Sequence, residues 1–289
     1  SDTGPIEMQP WGMEQYTIEE RYGKAIDAGV DLFSGTGDPT QLLTAVKMGY
    51  VTEERINESI FRLLKEKFDL GLFENPYVDP EKASQLVGNP EFQAAGDLAM
   101  RKSIVLLKND QNLLPIASKT KVYFETYFDG SPNQTPQTAF TTNSGNWDFE
   151  LVQNKEEADL IVLWLNPHFN SLFSSDGSKI DIRLSKNKID VSYVNATLQS
   201  KPTITVINFT NPWVISEIDN PNLHTMLATF GTTPEAILDV LSGKIKPSGK
   251  LPFTIPANVD QVETNLSDVP GSKEKEGYAL FNYGHGLSY

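Results

Sequence analysis

The chain has 289 residues, 39% hydrophobic and 21% charged, enough for one large or two modest globular units with packed cores. A formal net charge of -14 and a pI near 4.7 argue against a nucleic-acid partner, which needs concentrated Lys and Arg, and favour an uncharged ligand. There is no cysteine, so disulfides and thiol chemistry are excluded; the three histidines (His168, His224, His285) share no metal-ligand spacing, and no apolar run reaches the about 20 residues of a membrane helix.

Residues 1–16 read as a loop leaving a strand, and Ser1 is not an initiator methionine, so a processed chain or a fragment is expected. Thr17 and Glu20 form a capping box opening a helix whose Ile18, Tyr22, Ala25 and Ile26 share one face and whose end falls at Gly29. A short strand, Val30 to Phe33, is expected next. Asp38-Pro39 is an N-cap followed by proline at the first helical position, for a helix carrying Leu42, Leu43 and Val46 inward. Thr52 caps a further helix with Ile56, Ile60, Leu63, Leu64 and Phe68 at helical spacing, ended by Gly71. Residues 73–90, with Asn75-Pro76, Asp79-Pro80 and Asn89-Pro90, read as a linker.

A second unit is expected over 91–289. It begins with a helix from about Glu91 to Lys102 and strands at Ile104–Leu107 and Lys121–Thr126. Ala158–Leu165, Thr203–Asn208 and Thr225–Ala228 are continuous apolar or β-branched runs, the signature of strands buried on both faces. Helices at Leu184 to Leu198, Trp213 to Ile218 and Pro234 to Leu241 fit between or after them, giving a doubly wound α/β layer.

Six stretches resemble glycoside hydrolase family 3 in order and spacing. They are Ser1-Asp2-Thr3-Gly4, Ala28 to Gly35, Arg62 to Phe73, Ala99 to Asn109 with Leu113-Leu114-Pro115, Ser248 to Pro256, and Tyr283 to Tyr289. The resemblance implies that residues 1–72 are the closing segment of a (β/α) barrel, 73–90 a linker and 91–289 a doubly wound α/β sandwich, with an active site where barrel and sandwich meet. A complete barrel needs about 250 residues. The resemblance therefore also implies that an N-terminal barrel region must be supplied, in the same polypeptide or as a separate chain, and that this chain alone is inactive. It implies a retaining exo-acting β-glycosidase, a β-linked oligosaccharide or glycoside substrate, no cofactor, no nucleic-acid or membrane partner, and a periplasmic or secreted location.

Retaining glycosidases use two carboxyl groups about 5–5.5 Å apart, one a nucleophile and one an acid/base. Asp2 lies in the nucleophile motif, ahead of Gly4 and Pro5 in a turn. The acid/base is less regular. Where many relatives carry Glu in a Gly-Glu-Gly-like loop, this chain has Phe173 to Ser178, with Asp176 as the carboxyl candidate and Asp181-Ile182-Arg183 resembling the Asp-Arg pair that follows. Asp176 is one methylene shorter than Glu, and an Asp before Gly is also a common turn residue. Trp11 is a candidate wall for a sugar ring. Thr3 stands where many relatives carry Trp. His285, flanked by glycines, is read as a closure residue rather than a catalytic one. A non-catalytic carbohydrate-binding or structural module is the alternative. A nucleotide-binding domain is disfavoured, because Gly35-x-Gly37 lacks the third glycine of a dinucleotide fingerprint and no Gly-x4-Gly-Lys-Ser/Thr occurs.

Overall fold

A computed structural model of the chain describes residues 4–8, 12–128, 130–134, 147–168, 181–265 and 276–289. It divides into two compact units, Ser1–Val87 and Gly88–Tyr289.

The first unit is helical: α1 (Pro5–Met8), α2 (Ile18–Asp27), α3 (Thr40–Lys47), α4 (Glu53–Asp69) and α5 (Pro80–Leu86). The capping box is formed, with Glu20 N donating to Thr17 Oγ1 at 3.3 Å and Thr17 N to Glu20 Oε2 at 2.9 Å. One pair of bonds closes α2, α3 and α4 alike. At α2, Gly29 N donates to Ile26 O and Val30 N to Ala25 O, which requires the left-handed backbone that Gly29 adopts at φ 107°. Tyr22, Ile26, Ala45 and Val51 form the small core.

Four expectations change here. α3 begins at Thr40, because Asp38 Oδ1 accepts from Thr40 N at 3.0 Å in a local turn before the helix. Its buried residue is Ala45, while Leu43 is 53% exposed. The region expected as linker contains α5, capped by Asp79, whose Oδ1 accepts from Glu81 N and Lys82 N. Residues 30–33 form no regular strand; Gly4 N donates to Ser34 O at 2.9 Å just beyond them.

In the second unit, α6 (Pro90–Ser103) leads into β1 (Val105–Asn109), β2 (Lys121–Phe128), β3 (Ser131–Gln134), β4 (Glu150–Leu151), β5 (Leu160–Asn166), α7 (Val191–Ser200), β6 (Thr203–Asn208), β7 (Thr225–Thr229), α8 (Pro234–Leu241), β8 (Ile255–Pro256), α9 (Val259–Glu263) and β9 (Ala279–Phe281). The main sheet runs β1-β7-β6-β5-β2-β3, with β4 beside β2. Strands β2, β5, β6 and β7 are parallel, and β1 and β3 are antiparallel to their neighbours. β8 and β9 form a separate two-stranded ladder.

Alternate residues of each strand enter opposite cores. Val105, Leu107, Ile161, Leu163, Leu165, Ile207 and Met226 meet Val194 and Leu198 of α7. Leu106, Val122, Val162, Ile204, Val206 and Leu227 meet Ile237, Leu238 and Leu241 of α8. Burial on both faces is why these strands read as unbroken apolar runs. Asp239 on α8 accepts from Arg101 Nε at 2.7 Å and Trp147 Nε1 at 2.9 Å, tying α6 to α8. Burial opposes ionisation of Asp239, but these two donors outweigh it and hold the carboxyl below its ordinary range.

Two expected helices are remade by tertiary bonds. Residues 213–218 are not helical: Val214 N donates to Ile182 O at 2.9 Å and Val214 bridges Arg183, so this backbone is committed to a distant partner. The helix expected over Leu184 to Leu198 is a 3-10 turn at Leu184–Lys186 followed by α7, because Asp190 Oδ1 accepts from Ser192 N and Tyr193 N and starts a new helix.

The closing segments lie against β1. Leu287 N donates to Leu106 O at 2.8 Å, and His285 Nε2 is 2.9 Å from Leu107 O, a structural role for this histidine. Backbones approach so closely that a Cβ on Gly286 would lie 2.3 Å from Gly249 O, and one on Gly249 would lie 2.6 Å from Ile104 O. Gly286→Ala is therefore expected to cost about 3 kcal/mol and to lower this unit's unfolding midpoint by roughly 5–10 °C. A thermal scan showing an unchanged midpoint would contradict that contact.

Candidate active site

Asp2, Trp11 and Asp176 all lie outside the described residues. The flanks of each are described, and they belong to different units.

In the first unit, Gly4 has φ 60° and is bonded to Ser34, and its carbonyl accepts from Met8 N as α1 opens. The described residues on either side of 9–11 are bonded to α2. Arg21 Nη1 donates to Ile6 O at 3.4 Å, Arg21 Nε donates to Met13 O at 3.1 Å, and Tyr22 Oη donates to Glu7 Oε1 at 2.8 Å. Burial, then the bond to Glu7, pushes the Tyr22 phenol up to about 12, so it remains a proton donor to Glu7. Tyr22, Asp31, Phe33, Thr36, Asp38 and Leu42 border a hollow of about 240 Å³.

Asp31, within the Ala28 to Gly35 stretch, is held by α4. Ser59 Oγ donates to Asp31 Oδ1 at 2.6 Å, Arg62 Nη1 donates at 2.9 Å, and Arg55 Nη1 donates to Ser59 Oγ at 2.8 Å. The Ser59 bond, against a smaller burial effect and with help from Arg62, keeps the Asp31 carboxyl below its ordinary range. Asp31 is thus a fixed acceptor that fastens residues 30–34 to α4.

In the second unit, the carboxyl ends of the parallel strands form the edge at which open α/β sheets receive ligands. The connection containing Asp176 leaves the carboxyl end of β5 and returns at Asp181. Arg183 Nε donates to Asp181 Oδ1 at 2.9 Å and Oδ2 at 3.1 Å, and Arg183 Nη2 also reaches Oδ2. These bonds hold the Asp181 carboxyl low against a smaller burial effect, which suits an ionised acceptor and not a proton donor. Phe209, Phe230 and Phe253 cluster at the ends of β6 and β7, with ring centroids 5.8–6.2 Å apart.

Two polar arrangements escape a reading of the sequence alone. Glu125, 2% exposed in β2, accepts from Tyr193 Oη at 2.6 Å and from Lys155 Nζ at 3.4 Å, while Lys155 Nζ also donates to Tyr193 Oη at 2.8 Å. An acidic residue inside Val122-Tyr123-Phe124-Glu125-Thr126-Tyr127 is the signal that was available. Its enclosure and cationic partner make it a link between sheet and α7 rather than a group open to substrate. The other is Asn187, 1% exposed, which makes hydrogen bonds around both ends of the Asp176 connection. No group of three His, Cys, Asp or Glu able to hold a metal occurs among the described residues. No helix of the described residues is long and apolar enough to cross a membrane.

Residues 104–289 match the family model described as glycosyl hydrolase family 3 C-terminal domain. The chain is 36% identical over 288 residues to a β-glucosidase C of Emericella nidulans, covering 96% of this chain and 43% of that protein. It is 30% identical over 285 residues to a periplasmic β-glucosidase/β-xylosidase of Dickeya chrysanthemi, covering 97% of this chain and 41% of that protein. A crystal structure of a β-glucosidase from Listeria innocua in complex with isofagomine matches all of this chain and 47% of its own, at a TM-score of 0.70 and 22% identity, a likeness of fold. The chain thus spans less than half the length of these relatives.

Proposed function

The chain belongs to glycosyl hydrolase family 3, and from that membership we propose that it is part of a retaining exo-acting β-glycosidase that removes sugars, β-glucose first among them, from non-reducing ends. Asp2 is the nucleophile in this reading. It attacks the anomeric carbon to form a covalent glycosyl-enzyme while a second carboxyl protonates the departing oxygen, then takes a proton from the incoming water. Asp176 is the candidate for that second group, and Trp11 for an aromatic wall of the sugar site. The remaining part of the protein supplies the rest of the barrel. The reading includes a periplasmic or secreted location; one relative is named a periplasmic enzyme.

The observation that supports it most directly is the Gly4–Ser34 backbone bond. It sets Gly4, at the end of the nucleophile motif, beside Ser34, as the ends of neighbouring barrel strands would lie, and catalytic groups of barrels stand at strand ends. Asp181 narrows the search for the proton donor, since its ion pair to Arg183 suits a carboxylate that stays charged.

The test is an assay of the full-length protein with 4-nitrophenyl β-glucoside. Steady nitrophenol release with retention of anomeric configuration is expected. Calorimetric binding of glucose or cello-oligosaccharides with no turnover by the full-length protein would replace the enzyme reading with that of a carbohydrate-binding module.

A further inference from the structure

We infer that the amino edge of the main sheet carries a non-catalytic binding site that takes one neutral sugar ring. The inference goes beyond the glycosidase reading and uses none of the residues that reading invokes.

β6 and β7 begin at this edge, and β1, which runs against β7, ends there. The carboxyl edge lies the length of β6 away, 6 residues or about 20 Å. Three turns meet around a hollow of about 240 Å³: one after β1, one at the end of α7, and one leading into β7.

Each turn is fastened from behind. Asn109 spans the first: its Nδ2 donates to Leu114 O at 3.2 Å and its Oδ1 accepts from Leu114 N at 3.3 Å, while Asp110 N donates to His224 O at 2.9 Å. Lys201 anchors the second, its Nζ donating to the carbonyls of Lys155, Glu156 and Ala158 at 3.0, 2.8 and 2.6 Å. Asn220 shapes the third, its Oδ1 accepting from Asn222 N at 2.9 Å and its Nδ2 donating to Asn195 Oδ1 at 2.8 Å. The walls are therefore set before a ligand arrives, which removes an ordering cost from binding.

The polar side chains left at the mouth are three amides and an imidazole. Gln111, Gln199, Asn222 and His224 border the hollow, and among the described residues none of these four side chains has a hydrogen-bond partner. Leu113, Leu198 and Pro202 supply an apolar wall between them.

This lining selects a ligand class. An anion is disfavoured by the chain's net charge of -14 and by the carboxyl end of α7, whose partial negative charge lies at this edge. The ammonium of Lys201 is spent on three carbonyls, and no carboxylate lines the hollow to hold a cation. An amide donates and accepts side by side, which matches the neighbouring hydroxyls of a sugar, and the aliphatic wall matches the C–H face of its ring. The hollow has room for one ring, so an oligosaccharide is held here by an end.

The experiment follows amide hydrogen exchange in the full-length Asp2→Asn protein, with millimolar cellotetraose as the probe, which that variant leaves intact. Exchange over residues 198–203 and 221–225 is expected to slow about tenfold when the sugar reaches about ten times its Kd. Combining Gln199→Ala with Asn222→Ala is expected to raise the Kd read from these peptides by about tenfold or more. The same pair, with Asp2 in place, is expected to turn over 4-nitrophenyl β-glucoside within about twofold of wild type. Both side chains are exposed and unbonded, so the fold is expected to be kept. Unslowed exchange over these residues, or slowing that the double variant does not weaken, overturns the site. Slowing by inorganic phosphate and not by cellotetraose overturns it as well, because the hollow then takes anions. A wild type that releases no nitrophenol defeats the glycosidase reading alone, since the exchange result is read without turnover.

Discussion

Asp2→Asn in the full-length protein is expected to lower turnover of 4-nitrophenyl β-glucoside by on the order of 10⁴-fold or more, the scale at which loss of a nucleophile acts. Asn matches Asp in size, so binding should change little and the loss should fall on kcat. The amide oxygen carries too little charge to displace the leaving group and form the acylal-like ester that stores the sugar between half-reactions. Two further readouts locate the effect. A 2-deoxy-2-fluoro-glucoside, which slows both half-reactions, should leave a 2-deoxy-2-fluorohexosyl mass on the peptide containing Ser1-Asp2-Thr3-Gly4 in the wild type and not in the variant. Azide should restore part of the activity of Asp2→Gly by attacking from the vacated side, giving a glycosyl azide of inverted configuration. A variant that keeps more than about a tenth of the wild-type kcat would remove Asp2 from the mechanism, because no auxiliary group could replace a covalent nucleophile so well.

How far the sequence speaks for this architecture depends on the range of the interactions involved. Thr17, Gly29 and Pro234 announce helix ends because caps are local, and β5 and β6 announce themselves because strands covered on both faces must be apolar throughout. Trp213 to Ile218 has a helical look, yet the bond from Val214 to Ile182 is formed across more than thirty residues, and periodicity carries no trace of it. Likewise Asp190 splits one expected helix in two, since its capping bonds outcompete continuation of the turn before it. Leu43, expected inward, is exposed and Ala45 is buried because α3 is aimed by its contact with Tyr22 and Ile26, a tertiary fact. In the candidate site the division is sharper. Asp2, Asp176 and Trp11 come from motif likeness alone, while Asp31 is fixed by Ser59 and Arg62 of a later helix, and Asn187 emerges only when both ends of a connection are seen to converge on it.

The 289-residue chain on its own is expected to hydrolyse no measurable β-glucoside, whereas the full-length protein turns over. The relatives it resembles are more than twice as long, and the first unit has surfaces consistent with further neighbours. Phe61 and Phe68 on α4 are 69% and 59% exposed, and Leu43 and Met48 are more than half exposed, while the face of α4 toward Asp31 is polar, through Arg55, Ser59 and Arg62. A soluble monomer seldom leaves so many large apolar side chains uncovered without a partner for them. Catalysis of this kind depends on carboxyl groups held to within a fraction of an ångström, so a nucleophile whose surroundings are half built should bind substrate weakly and react negligibly. The comparison should use equal molar concentrations, with binding of a hydrophobic dye recorded alongside activity. The short chain is expected to bind dye strongly and release no nitrophenol, and the full-length protein to do the reverse. Activity of the short chain within about tenfold of the full-length protein would mean that all the necessary groups lie within these 289 residues, and the N-terminal barrel region would lose its place in the mechanism.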